Sequence, residues 1–138
     1  MADVHSKEIR SYNMSRIRSK DTKPEMLVRK FLFSKGFRYR IHDKKLPGKP
    51  DVVLPKYKTI IFVHGCFWHG HDNCSKFTIP KTKTDWWTHK IELNKINDLK
   101  YQKSLNEQGW RVVYIWTCQL NKSNFSNTLN RCIEELKS

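Results

Sequence analysis

The stretch Tyr57-Lys58-Thr59-Ile60-Ile61-Phe62-Val63 ends in four consecutive large apolar residues and carries no charge after Lys58. A run of this kind suits a central strand buried on both faces. A second such stretch, Trp110-Arg-Val-Val-Tyr-Ile-Trp116, follows later. Between them lies a long polar segment that can be capped by Thr84 or Asp85, run as helix to about Asn106, and end near Gly109. Two strands joined by a helix predict a parallel pair. Upstream, Asp51-Val-Val-Leu54 reads as a short buried strand, turned by Pro55-Lys56.

Thr22-Lys-Pro-Glu25 is a helix start: Thr22 caps, Pro24 suits the first turn, and Glu25 can complete a capping box. That helix uses Met26, Leu27, Val28, Phe31 and Leu32, and Gly36 ends it. Phe37 to Ile41 alternates like an edge strand, Leu46-Pro-Gly-Lys-Pro50 is a loop, and 65–83 is irregular. A final helix over 125–137 puts Leu129, Cys132, Ile133 and Leu136 on one face. The expected fold is α/β, a mixed sheet with helices on both faces. Residues 1–138 are expected to form one domain, with 1–20 a basic arm, helical over 6–20.

Twenty-seven Lys and Arg against thirteen Asp and Glu give a formal charge of +14 over 138 residues. Such a surface attracts phosphate backbones. The basic residues are spread along the chain, and no lysine-rich amphipathic helix stands out, which favours nucleic acid over lipid. The opening Met-Ala-Asp-Val-His-Ser-Lys-Glu has no apolar signal core, so a cytoplasmic protein is expected. Four cysteines then read as metal ligands or buried thiols.

Directly after the first apolar run comes His64-Gly-Cys-Phe-Trp-His-Gly-His-Asp-Asn-Cys74. Cys66, His71 and Cys74 are close enough for one loop to wrap a metal, and tetrahedral zinc needs a fourth ligand. Cys118 lies just past the 110–116 strand as Cys66 lies just past the 57–63 strand. If the two strands are parallel neighbours, Cys118 reaches the site. Cys132 falls on the apolar face of the last helix and reads as a core thiol. Four protein ligands would make such a zinc structural.

Asp51 at the start of a buried strand is a candidate Mg²⁺ ligand, or else a strand-initiating residue that satisfies loop amides. Glu25 is either the partner of Thr22 or a second acid. His69, between ligand candidates, could act as a general base if Asp51 lies nearby. Phe67, Trp68, Trp86 and Trp87 either pack inward or supply the apolar wedges that unstack a base step. Lys76, Lys81, Lys83 and Lys90 interleave with them.

These residues resemble the very-short-patch-repair (Vsr) DNA mismatch endonucleases. The matching pieces are Met1-Ala-Asp-Val-His5, Asn13-Met14, Leu46-Pro-Gly-Lys-Pro-Asp51, Ile61-Phe-Val-His-Gly-Cys-Phe-Trp-His69, Trp87 with Lys90-Ile91, and Gly109-Trp-Arg-Val-Val113. The resemblance implies a restriction-endonuclease-like (PD-(D/E)XK) fold with a structural zinc site. It also implies a monomeric enzyme that nicks one strand 5′ of a thymine mispaired with guanine. Such mispairs arise by deamination of 5-methylcytosine at sites of a partner cytosine-5 DNA methyltransferase.

Carried over by position, Asp51 and the main-chain carbonyl of Val63 would bind Mg²⁺, His69 would be the general base, and Glu25 and His64 would support them. Family members can have Thr where Val63 stands, a change that a backbone ligand survives. Cys66, His71, Cys74 and Cys118 would hold zinc. Phe67, Trp68 and Trp87 would form the wedge, and Met14 and Lys90 would lie near the mismatch. Two other functions fit the same composition: a zinc-containing DNA-binding module without catalysis, and a nuclease with a different target.

Overall fold

The computed structural model describes residues 22–137. The expected helix over 6–20, the 1–20 arm and Met14 lie outside the described residues. Among the described residues, the α-helices and strands follow in order: α1 (Lys23–Ser34), β1 (Val52–Leu54), β2 (Thr59–His64), α2 (Thr84–Glu107), β3 (Arg111–Trp116) and α3 (Phe125–Lys137). The strands form one mixed sheet with β2 in the centre, antiparallel to β1 and parallel to β3. The parallel pairing follows from α2, which carries the chain back to the starting edge.

Alternation along β2 sorts the core onto the two faces. Ile61 packs with Val28 and Leu32 of α1 and with Leu129, Cys132 and Leu136 of α3. Ile60 and Phe62 point the other way, onto Leu105 of α2. His64 shares the parity of Phe62, so its ring is turned to the α2 side. Truncating a fully buried residue such as Leu32 or Leu105 to Ala would cost about 2–5 kcal/mol.

The helix ends are set locally. Thr22 Oγ1 accepts the Glu25 N–H at 3.5 Å. Past Ser34, the N–H of Phe37 returns to the Leu32 carbonyl and that of Gly36 to Phe33, which closes α1 as a Schellman turn.

Two expectations are corrected. Phe37 to Ile41 is not a strand: only Arg40 bridges to Val53, as an isolated antiparallel pair. With no strand partner beyond that pair, the alternation does not grow into a ladder. The start of α2 is not capped by Thr84 or Asp85, since the cap is Lys83 in the left-handed region. Thr84 Oγ1 instead donates back to the carbonyls of Pro80 and Lys81, which ties the irregular 65–83 segment to the helix.

Candidate active site and metal centre

Sheet register brings the chemistry to one end. His64 pairs with Trp116 in the parallel β2–β3 ladder, so Cys66 and Cys118 each stand two residues beyond the last pair. Their side chains meet there with His71 and Cys74, one ligand atom from each lying within 4.8 Å of all the others. Cys118 Sγ is 3.5 Å from His71 Nδ1, and Cys66 Sγ is 3.4 Å from Thr117 Oγ1. The His71 ring is stacked on Trp116 at 4.1 Å, which fixes its plane. Burial and the two neighbouring thiols push Cys118 up to about 12. Three thiols and an imidazole at this spacing could hold a four-coordinate metal ion such as zinc, and a cation there would remove the penalty on ionising the thiols. Cys132 is away from this group, buried in the core under α3.

Asp51 immediately precedes β1, beside the end of β2. Its Oδ2 accepts the Val63 N–H at 2.6 Å. Burial is the main cause that raises the Asp51 carboxyl to about 7; the Val63 bond opposes the rise, and the nearby Glu25 adds to it. Glu25 is itself buried and paired with the buried Arg29 at 3.1 Å. Crowded, partly desolvated carboxylates of this kind gain most from a bound divalent cation.

Glu25, Asp51, Val63, His64 and His69 all line one cavity of about 340 Å³. The Leu46–Pro50 loop closes one side. Gly48 has φ +78°, and a Cβ there would stand 2.9 Å from the Tyr101 ring, so only glycine lets the loop lie against α2.

The two histidines stack face to face, centroids 3.7 Å apart and planes 6° apart. Burial, then the neighbouring His69, lowers His64 to about 4, so it is neutral at physiological pH. His69 Nδ1 lies 2.8 Å from Asp98 Oδ2 on α2. A carboxylate can only accept, so Nδ1 carries the hydrogen and the Nε2 lone pair is left available. His64, His69 and Asp98 also have one donor atom each within 4.8 Å of one another. The in-plane lone pairs of the two stacked rings lie in separate parallel planes and do not meet at one ion, so a proton-transfer group suits this trio better than a cation.

Beside the histidines the aromatics form a cluster. Trp87 packs 5.3 Å from Phe67 and 5.6 Å from Trp68, and Trp86 stands edge-on to Trp87 at 4.8 Å. Trp68 is 43% exposed and Trp86 57% exposed, a large apolar surface for a charged protein. Lys90, one turn along α2 from Trp86 and Trp87, is exposed.

Sequence reading missed Asp98 and Asn94. Asn94 Nδ2 donates to the Trp68 carbonyl at 2.8 Å. The spacing of Asp98 and Asn94 by one helical turn on a polar helix was the available signal, but nothing in the sequence told which face of α2 meets the histidine loop.

The DNA mismatch endonuclease Vsr family model matches residues 2–76. The chain is 51% identical to the Type II nicking enzyme V.NmeAIP of Neisseria meningitidis, over 99% of this chain and 98% of the relative. It is 47% identical to the Type II nicking enzyme V.XorIIP of Xanthomonas oryzae, over 88% of each. It is 44% identical to the DNA mismatch endonuclease Vsr of Escherichia coli, over 87% of this chain and 76% of the relative.

Proposed function

The chain belongs to the Vsr family of DNA mismatch endonucleases, and we propose that it nicks one strand of duplex DNA 5′ of a thymine mispaired with guanine, by Mg²⁺-dependent hydrolysis. The observation that carries this reading is the shared cavity of Asp51 and His69 next to an exposed aromatic cluster. A cation ligand, a base and a base-stacking surface then sit on one face of a basic protein.

In this reading Asp51, with the main-chain carbonyl of Val63, holds Mg²⁺, and Glu25 adds negative charge behind it. Bound there, Mg²⁺ supplies Lewis-acid neutralisation of the scissile phosphate. His69 takes a proton from the attacking water at Nε2, while Asp98 holds Nδ1 and stabilises the imidazolium that forms. His64, kept neutral by burial, backs the His69 ring without adding a charge that would oppose its protonation. The water oxygen bonds to phosphorus and the bond from phosphorus to the 3′-oxygen of the preceding nucleotide breaks, so the thymidine side keeps a 5′-phosphate.

The three-strand sheet reads as the centre of a restriction-endonuclease-like (PD-(D/E)XK) fold. Pro50-Asp51 supplies the first half of that motif. Thr59–His64 of β2 contains neither acid nor lysine, so a main-chain carbonyl and histidines take over those roles. Cys66, His71, Cys74 and Cys118 hold a structural zinc, since four protein donors leave no open position. Phe67, Trp68 and Trp87 insert as the wedge, at a mispair whose distortion costs less than that of a matched step. Lys90 would lie near the mismatch, as would Met14, and the 1–20 arm would contact DNA; Met14 and the arm are outside the described residues.

The enzyme acts as a cytoplasmic, single-domain monomer on mispairs that arise by deamination of 5-methylcytosine at sites of a partner cytosine-5 methyltransferase. Among the described residues no helix is long and apolar enough to cross a membrane. The test is Asp51→Ala, which is expected to abolish nicking and leave binding of the mispaired duplex largely intact. Nicking at the wild-type rate by that variant contradicts the assignment.

A further inference from the structure

The loop that carries both wedge and base is gripped at consecutive residues by one face of α2. Asn94 Nδ2 holds the Trp68 carbonyl at 2.8 Å, and Asp98, four residues on, holds His69 Nδ1 at 2.8 Å. Residues four apart on a helix are neighbours on its surface, so the two grips move as one. Around them the loop has little slack. Gly70 has φ +61°, and a Cβ there would stand 2.8 Å from Ile91 Cγ2 and overlap Lys95. Lys95 Nζ donates to Asp72 at 3.0 Å. Cys66, His71 and Cys74, which bracket the segment, are drawn into the four-residue ligand cluster with Cys118.

We propose that Asn94 is a positioning residue that ties insertion of the Trp68 wedge to placement of the His69 base. The inference rests on the nicking function above and adds to it a role for Asn94, which lines the same cavity as Asp51 and His69. The Trp68 ring is substantially exposed, so bases that stack on it displace it against a main chain fixed by Asn94. That fixed carbonyl belongs to the peptide unit that carries the backbone nitrogen of His69. With the bond in place, seating of the ring in an unstacked step sets the position of the imidazole. Without it, the Trp68 peptide can rotate and the ring can seat while His69 stays out of line. Nicking then depends on a seated wedge, which a matched duplex provides only at higher cost.

The hydrogen bond goes to a main-chain carbonyl, so Trp68→Ala removes the wedge and keeps the bond. That separates coupling from simple support of the loop. Single-turnover nicking of a T·G duplex at saturating enzyme is measured for Asn94→Ala and Asn94→Asp, the latter isosteric but without the amide donor. Each is expected to slow nicking roughly five- to tenfold, the loss of about one hydrogen bond, with little change in the enzyme concentration for half-saturation.

In a Trp68→Ala background the same two changes are expected to slow nicking less than about twofold, because the wedge they would couple is gone. The proposal is overturned by equal slowing in both backgrounds, by wild-type rates for either variant, or by an effect confined to half-saturation. If the unaltered protein fails to nick the T·G duplex, the proposed function itself is at fault, and that outcome is distinct from all three.

Discussion

Asp98 on α2 stands 2.8 Å from Nδ1 of His69, joining the long helix to a loop residue 29 positions earlier in the chain. The contact sets the tautomer of His69 and the direction of its free nitrogen. Asp98→Asn keeps the size of the group but allows an amide to donate to Nδ1, which moves the hydrogen to Nε2 and blocks the base. Nicking is expected to fall on the order of 10²-fold or more, as when a general base is lost. Single-turnover rates on a mispaired duplex check this; a loss below about twofold would leave the pair without a catalytic role.

The acid beside β1 gives a pH test with a definite sign. The Asp51 carboxyl is raised from 3.8 to about 7 in the metal-free protein. A raised folded value means that its contribution to stability is fully present below about pH 4 and is lost as pH rises through about 7. Asp51→Asn should therefore raise the Tm of the metal-free protein at pH 8, where each kcal/mol is worth roughly 3–4 °C in a domain of this size. At pH 4 the variant and wild type should melt alike. A variant that melts lower than wild type at pH 8 rules out the crowded-carboxylate description.

For the wild type, the proposed Mg²⁺ site on Asp51 implies that the cation competes with a proton. The Mg²⁺ concentration that half-saturates nicking should rise as pH falls below about 7. Titration of the nicking rate with Mg²⁺ at pH 6 and pH 8 checks it; an unchanged midpoint places the cation elsewhere.

The thiol cluster is tested by metal content. Cys118→Ser should lower bound zinc and Tm together, because it breaks a four-donor site whose other members come from one loop. Cys132→Ala should leave zinc at one equivalent, since that thiol is buried in the core under α3. Elemental analysis of both purified variants decides it, and full zinc in the Cys118 variant would refute the ligand set.

Gly70→Ala combines a left-handed φ with a Cβ pressed onto Ile91. A cost of about 1–3 kcal/mol is expected, with nicking reduced further than stability alone accounts for, because the loop carries His69. Thermal melts and nicking rates below the melting range separate the two effects.

Much of this arrangement was legible in the residues themselves. The apolar run ending at Val63, the long polar segment after it and the 110–116 run dictated a parallel pair, and that pair placed Cys118 with Cys66. The buried face of α3 was visible in the spacing of Leu129, Cys132 and Leu136. Less legible was anything decided by packing across the chain. Arg40 alternates with its neighbours as strand residues do, yet only a single bridge to Val53 forms, because pairing needs a partner of matching length. Lys83 caps α2 from a backbone conformation that its side chain does not announce. Asp98 and Asn94 look like ordinary solvent-facing residues of a polar helix until Gly70 lets the loop come down on them.

The most direct measurement is nicking of a labelled duplex with one T·G mispair, next to T·A and C·G controls, with Mg²⁺ and with EDTA. A nick confined to the thymine strand of the mispaired duplex, and abolished by EDTA, is the expected result. Equal cutting of all three duplexes, or tight binding of the mispaired one with no cutting under any condition, would contradict a mismatch-directed nicking enzyme.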